Sequence, residues 1–475
     1  MFDLWRNRIS LFAGPVLLLV ILLLPLDIPV QQHKILAIVI FVFVWWIGEA
    51  VPLPLTALLI PVLGIILKVV SPKDAFAPFA NEIIFLFIGS FILARAISLH
   101  GLDKRFANFL LSLKVLKGRP LASIFMLGLC AWLLSMWLSN TATAAMLMPL
   151  SLGILKEIGG EQNKGLISGG LLLVAFATSA GGIATPVGTP PNLVGMGMLE
   201  ELVHIKINFA QWMGMAIVPS CIMFLLIFFV LYIFNLKISY NLSITYNKSS
   251  FPPLSRAEKN TLFAFSITAV LWITPGIVSP LLGHGAIKEF LSTTLNESVV
   301  ALIGAGLLFI LPVDFKKGKF TLSWEDAVKI DWGTILLFGG GLSLGYMLTS
   351  TGLASVMGEE ILKATGGNEF LLIFLIVSLS VGITELISNT ATANMLIPIV
   401  IGIAIKGGLN VVYPVFGASL GASMAFLLPV STPPNSIVYG TGKIPLMNMV
   451  KCGFILDCLS IIIIFLWILA LKIFF

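Results

Sequence analysis

The chain has 475 residues, of which 58% are hydrophobic and 11% charged, at a mean hydropathy of +1.05. That is more apolar surface than a soluble globule can hide, so a soluble enzyme or scaffold is excluded and a bilayer protein is implied. The net charge of +6 is scattered through loops between apolar runs, without the basic stripe that a nucleic-acid partner requires.

In chain order, apolar runs of spanning length predict helices at 11–27, 34–50, 52–70 and 83–100, then 164–186, 209–235, 260–279, 297–312, 332–350, 411–430 and 447–474. The first run follows Arg6 and Arg8 as a signal peptide would. Pro25 and Asp27 close it and no small-x-small cleavage site follows, so it is read as a span. Two further stretches, 120–157 and 370–405, are too long for one crossing, and each is interrupted by Ser-Asn-Thr. Each is read as a re-entrant helical hairpin, whose polar turn survives at that depth only when buried in protein or lining a wet cavity. The expected fold is an all-α polytopic membrane protein with about 11 transmembrane helices plus two hairpins.

Cytoplasmic loops carry an excess of Lys and Arg. An N-terminus inside the cell places Lys104, Arg105, Lys114, Lys117, Arg119, Lys237, Lys248, Arg256, Lys259, Lys316, Lys317 and Lys319 on the cytoplasmic side and the C-terminus outside.

The chain is written twice. "SNTATAAMLMPL" from Ser139 returns as "SNTATANMLIPI" from Ser388, and "ATPVGTPPNLVG" from Ala184 returns as "VSTPPNSIVYG" from Val430. "FLFIGSFILARAISLHGL", ending at Leu102, is matched in character by "LLFGGGLSLGYMLTSTGL", ending at Leu353. Three matches in one order define an internal repeat, and an odd number of crossings between the copies inverts one relative to the other. The expected organisation is an extra span at 1–33, a first repeat at 34–235, a cytoplasmic linker at 236–259 and a second repeat at 260–475.

In inverted-repeat carriers the ligand sits near the midplane where broken helices meet. A Ser-Asn-Thr tip offers two hydroxyls, a carboxamide and the free N–H groups of the returning helix, a donor set suited to an anion. Two such tips suit a substrate with a carboxylate at each end. The carbonyls that close the incoming helices, with Asn and hydroxyl oxygens, suit a hard cation such as sodium. Ser135 and Thr384 stand one turn before the tips, and each TPPN frees carbonyls beside Gly188 and Ser431. One sodium site per half is expected, sharing Ser139, Asn140 and Asn389 with the substrate set, which Thr189 and Thr432 complete at the two breaks. No Lys, Arg or His lies within ten residues of Asn140 or Asn389, so bound sodium is the group that neutralises a buried dianion.

These motifs, "SNTATAAMLMPL", "SNTATANMLIPI", "TPVGTPPN" and "LLPVSTPPNSIVYG", resemble the divalent anion/sodium symporter family, which includes sodium-coupled dicarboxylate and citrate carriers. The resemblance extends over essentially the whole chain. It implies that Ser139, Asn140, Thr141, Ser388, Asn389 and Thr390 bind substrate carboxylates. It also implies sodium at Ser135 and Gly188 in one half and at Thr384, Ile387 and Ser431 in the other, the last two through backbone carbonyls. A homodimer working as an elevator is implied as well, with scaffold 1–118 and 260–366, transport unit 119–235 and 367–475, and linkers at 103–118 and 354–366.

Several signals are set aside. "GLSLG" at Gly341 matches a nucleophile elbow but lies within a span, "GTGK" at Gly440 lacks the rest of a phosphate-binding loop, and His33, His100, His204 and His284 have no ligand spacing. Cys130, Cys221, Cys452 and Cys458 are read as free thiols. Arg95, near a cytoplasmic end, is expected to snorkel; Glu385, Lys451 and Asp457 are costly in lipid and should face protein, water or the interface. The resulting reading is sodium symport of succinate, malate or fumarate. The alternative within the same fold is exchange of one dicarboxylate for another, such as 2-oxoglutarate or citrate against succinate.

Overall fold

The computed structural model describes residues 2–113, 116, 118–159, 162–236, 252–278, 290 and 294–474. Lys114, Lys117, Lys237, Lys248, His284 and most of the expected linker lie outside the described residues.

The first half opens with α1 (Phe2–Leu23), which packs on α2 (Val30–Gly48), then α3 (Leu53–Ile66), a short α4 (Pro72–Phe76) and α5 (Glu82–Leu99). Next come α6 (Leu102–Leu111), a hairpin of α7 (Pro120–Ser135) and α8 (Asn140–Gly159), a span broken into α9 (Lys164–Gly182) and α10 (Pro190–Val203), and α11 (Phe209–Phe234). The second half repeats the series. It has α12 (Arg256–Val278), α13 (Glu297–Ile310), a two-stranded ribbon of β1 (Pro312–Asp314) and β2 (Lys319–Phe320), a short α14 (Trp324–Ala327), α15 (Trp332–Ser350) and α16 (Leu353–Ala364). A hairpin of α17 (Glu369–Thr384) and α18 (Asn389–Lys406), a broken span of α19 (Val412–Gly421) and α20 (Pro433–Tyr439), and α21 (Leu446–Phe474) complete it. Among the described residues, nine helices are long and apolar enough to cross a membrane, two of them being the returning arms α8 and α18.

Local sequence explains the ends. Asn81, Asn163, Asn208, Asn296 and Asn368 each cap a helix with a side-chain oxygen on a backbone N–H of its first turn. Pro190 and Pro433 sit at the first position of α10 and α20, where a missing N–H costs nothing. Gly101 (φ 69°) and Gly352 (φ 77°) turn the chain from α5 into α6 and from α15 into α16, a left-handed corner repeated in both halves. Two spans differ from expectation. The runs at 164–186 and 411–430 stop as helices at Gly182 and Gly421, because the segments before TPPN are unwound and the crossings are finished by α10 and α20.

The halves interleave. Post-break helix α10 packs on hairpin arm α18 of the second half, and α20 packs on hairpin arm α8 of the first. Each broken span thus keeps its break against its own half's hairpin and sends its post-break helix to the other half's. α15 lies against α3 and α18, and α11 against α21.

Polar contacts between loops gather at two rims. On one rim Arg105 pairs with Glu258 at 2.7 Å, and His100 meets the Thr321 carbonyl at 2.8 Å, joining α6, the start of α12 and the ribbon. On the other, Lys206 pairs with Glu82 at 2.5 Å and Glu200 at 3.2 Å, Asn81 donates to Glu201 at 2.7 Å, and Asn296 to Glu82 at 2.8 Å.

Candidate functional site

Both hairpin turns face one cavity of about 790 Å³. Ser139, Asn140 and Thr141 reach it from α7–α8, and Ser388, Asn389 and Thr390 from α17–α18. Gly188 and Thr189 line it from the first break, Ser431 and Thr432 from the second. Of the residues singled out in the sequence, Ser135, Thr384 and Ile387 lie behind the turns, buried beneath the lining. The wall continues along α5 past Arg95 and Ser98 to Lys329 and Asp331 before α15, so the cavity opens toward the rim that carries Arg105.

In the first half, the Ser135 hydroxyl donates to Asn140 Oδ1 at 2.5 Å. A Cβ added at Gly188 would lie 2.5 Å from the Gly182 carbonyl and 2.9 Å from that of Ser135; one at Gly182 would lie 2.5 Å from Asn140 Oδ1. Glycine at both positions therefore lets the Gly182 and Ser135 carbonyls approach Gly188, and the Asn140 carboxamide, bonded to the Ser135 hydroxyl, approach Gly182, so neutral oxygens gather behind the turn. That neutral oxygen set is what a hard monovalent cation requires.

The second half keeps the frame and changes the fittings. Thr384 Oγ1 lies 2.8 Å from Asn389 Oδ1 and 2.7 Å from the Ala422 carbonyl. Where the first half has Gly188 the second has Ser431, whose hydroxyl lies 2.5 Å from the Glu385 carboxylate and 3.0 Å from its backbone carbonyl. That carboxylate also accepts from the N–H groups of Leu427 (3.0 Å) and Leu428 (3.2 Å), and Asp457 accepts from Phe426 N–H at 3.3 Å. Both acids are buried, and their side chains meet. Glu385 and Asp457 are thus committed to the unwound segment; the Ser431 side chain is engaged there and leaves its carbonyl as the group to offer a cation.

Two residues that sequence reasoning passed over hold the breaks. Asn192 Nδ2 donates to the carbonyls of Gly182 (3.0 Å) and Thr185 (2.7 Å), and Asn435 Nδ2 to those of Ala425 and Leu428, both at 3.1 Å. Each carboxamide is fully buried and its Oδ1 has no hydrogen-bond partner. The signal was available, since both are the Asn of TPPN. Arg95, expected to snorkel, lines the cavity as well as reaching toward the rim.

The set-aside signals are also placed. Ser343 is buried inside α15 and donates to the Ala75 carbonyl at 2.9 Å, which leaves no exposed nucleophile. The four cysteines are free, Cys130 and Cys452 buried, Cys221 and Cys458 exposed. Lys451 is exposed near the start of α21.

Residues 5–474 match the family model described as the sodium:sulfate symporter transmembrane region. An uncharacterized transporter of Haemophilus influenzae is 34% identical over 96% of this chain and 95% of its own. The sodium-dependent dicarboxylate transporter SdcS of Staphylococcus saprophyticus is 33% identical over 96% and 89%, and that of Staphylococcus aureus strain USA300 is 32% identical over 96% and 90%. Among solved structures, the Alcanivorax borkumensis YdaH transporter superposes with a TM-score of 0.59 at 14% identity, covering 98% of this chain and 97% of its own. Neisseria gonorrhoeae MtrF gives 0.54 at 14% identity over 86% and 83%; at such identity both speak for the fold alone. With two inverted hairpins meeting at one cavity and a family match along nearly its full length, this chain belongs to the divalent anion/sodium symporter family of membrane transporters.

Proposed function

We propose that the protein carries C4-type dicarboxylates such as succinate, malate or fumarate across the cell membrane by sodium symport. The observation that carries this reading is the meeting of both Ser-Asn-Thr turns in one cavity of about 790 Å³, a volume within the usual range for small-ligand sites. Ser139, Asn140, Thr141, Ser388, Asn389 and Thr390 hold one carboxylate at each end of the substrate, with Thr189 and Thr432 beside them at the helix starts. One sodium ion sits among Ser135, Asn140, Gly182 and Gly188, the other among Thr384, Ile387, Asn389 and Ser431. The two ions neutralise the dianion, so substrate without sodium is penalised by an unpaired buried charge. That penalty is the coupling. The names of the Staphylococcus relatives support both the ion and the substrate class.

Alternating access follows as an elevator in a homodimer. The hairpins with α9–α11 and α19–α21 move past a scaffold of α1–α5 and α12–α15, on arms α6 and α16, and the N-terminus lies in the cytoplasm. The 115° bend between α16 and α17 supports the arm assignment. The cavity then opens inward in this conformation. The deciding experiment is tracer uptake by proteoliposomes under an inward sodium gradient, with succinate, citrate and sulfate compared. Sodium-dependent, saturable succinate uptake is expected. Persistent counterflow in sodium-free vesicles preloaded with dicarboxylate would instead establish exchange.

A further inference from the structure

The hairpin turns contribute no charged side chain to the cavity, yet the guest proposed for it is a dianion. Among the described lining residues, the cations are Arg95 and Lys329 and the acids Glu49 and Asp331. Asp331 is spent on capping α15, with its carboxylate on Thr334 N at 3.1 Å and on the Thr334 hydroxyl at 2.6 Å. Lys329 is mostly exposed and pairs with Asp326 at 2.9 Å. Arg95 is different. Its ion pair among the described residues is with the same Asp326 at 3.8 Å, beyond hydrogen-bond range, and its Nε is buried without a partner. A guanidinium carries five N–H donors in a planar fork matched to a carboxylate. Here that fork is held in the wall of the transport cavity by α5 with almost none of its capacity used.

We propose that Arg95 is a charge-selecting residue that receives one carboxylate of the substrate between the hairpin turns and the open mouth of the cavity. This inference rests on the dicarboxylate reading above. Because Arg95 belongs to the scaffold and the turns to the moving unit, the two share a cavity only in the conformation described here. The station therefore acts on one side of the membrane, drawing dianions toward the turns on entry from that side and away from them on release. Asp326 competes for the guanidinium and sets how freely it is offered.

The test uses full-length protein in proteoliposomes of uniform orientation, with succinate KM measured from each side at saturating sodium. Arg95→Gln is expected to raise KM from the cavity side by roughly three- to tenfold, the range for losing a partly exposed charged contact, and to leave KM from the opposite side unchanged. Arg95→Lys should recover part of that loss. Asp326→Asn should move cavity-side KM in the opposite direction, which a merely structural arginine would not produce. An equal rise on both sides, no change on either, or a fall in maximal rate alone overturns the proposal. Wild-type vesicles in the same series report on the parent reading: succinate uptake there with none of the sided changes defeats the inference alone, and no wild-type uptake defeats both.

Discussion

The two hairpin turns occupy equivalent positions in an inverted repeat, and they are held by different chemistry. In the first half, the residue after Ser135 is Met136, whose carbonyl is bonded by the Thr185 hydroxyl; the break is then kept by neutral groups, Asn192 and Trp212, the latter donating to Ile183 O at 3.1 Å. In the second half the equivalent position is Glu385, and two buried carboxylates grip the N–H groups of residues 426–428. Exposure differs too. Ser139 and Thr141 stand open to the cavity, while Thr390 is buried and Ile387, Ala391 and Met395 pack into the apolar cluster of α2, α3 and α15. The shared parts, the Asn of each turn and the Asn of each TPPN, are those that the proposed transport chemistry would use twice. The unshared parts mark where each half meets its own surroundings.

Breaking the shared part should cost the most. Asn140→Ala and Asn389→Ala are each expected to cut sodium-driven uptake by about 100-fold at unchanged amounts of folded protein, since each removes a group built to bond a charged ligand. Near-normal uptake by both variants would remove the turns from the site. The unshared part comes next. Glu385→Ala strands the N–H groups of Leu427 and Leu428 and should lower stability by about 3 kcal/mol, read as a drop in thermal midpoint, whereas volume-conserving Met136→Leu should cost less than about 1.5 kcal/mol. Equal effects would mean that the carboxylates do not hold the second break.

A finer probe is Gly188→Ala. The new methyl must displace the Gly182 or Ser135 carbonyl, and overpacking of about 1–3 kcal/mol at that point should raise half-saturating sodium by roughly tenfold with little change in succinate affinity at saturating sodium. Ser431→Ala fills no space, so its sodium response should be the weaker of the pair. The smallest effect is expected at Ser343→Ala, which loses one buried hydrogen bond worth about 1 kcal/mol and should leave transport intact.

Much of the molecule is legible in its sequence. The run predicted at 332–350 is α15 residue for residue, and both hairpins turn at the Ser-Asn-Thr where polar groups interrupt apolar sequence. Inverted topology followed from the odd number of crossings between the two copies of the motifs. What local sequence could not carry was pairing across the halves. Nothing in the periodicity of 190–203 says that α10 lies on α18, since any apolar helix offers a similar face. The same limit hid Glu385. An acid in a span announces that it must be satisfied, but its partners at 426–431 lie about forty positions away and have meaning only once the chain is folded. In the sequence Arg95 reads as a snorkelling side chain because its stem lies in a span near the span's end; the cavity beside it is made by elements from both halves.

The central claim is that one dianion and its sodium ions are held jointly by two opposed turns. The most direct measurement is equilibrium binding of radiolabelled succinate to the purified protein across a sodium titration, for the wild type, Asn140→Ala and Asn389→Ala. The expected result is binding that appears only with sodium, rises more steeply than first order in it, and is lost in either variant. Succinate bound equally well without sodium, or retained by both variants, would contradict the account.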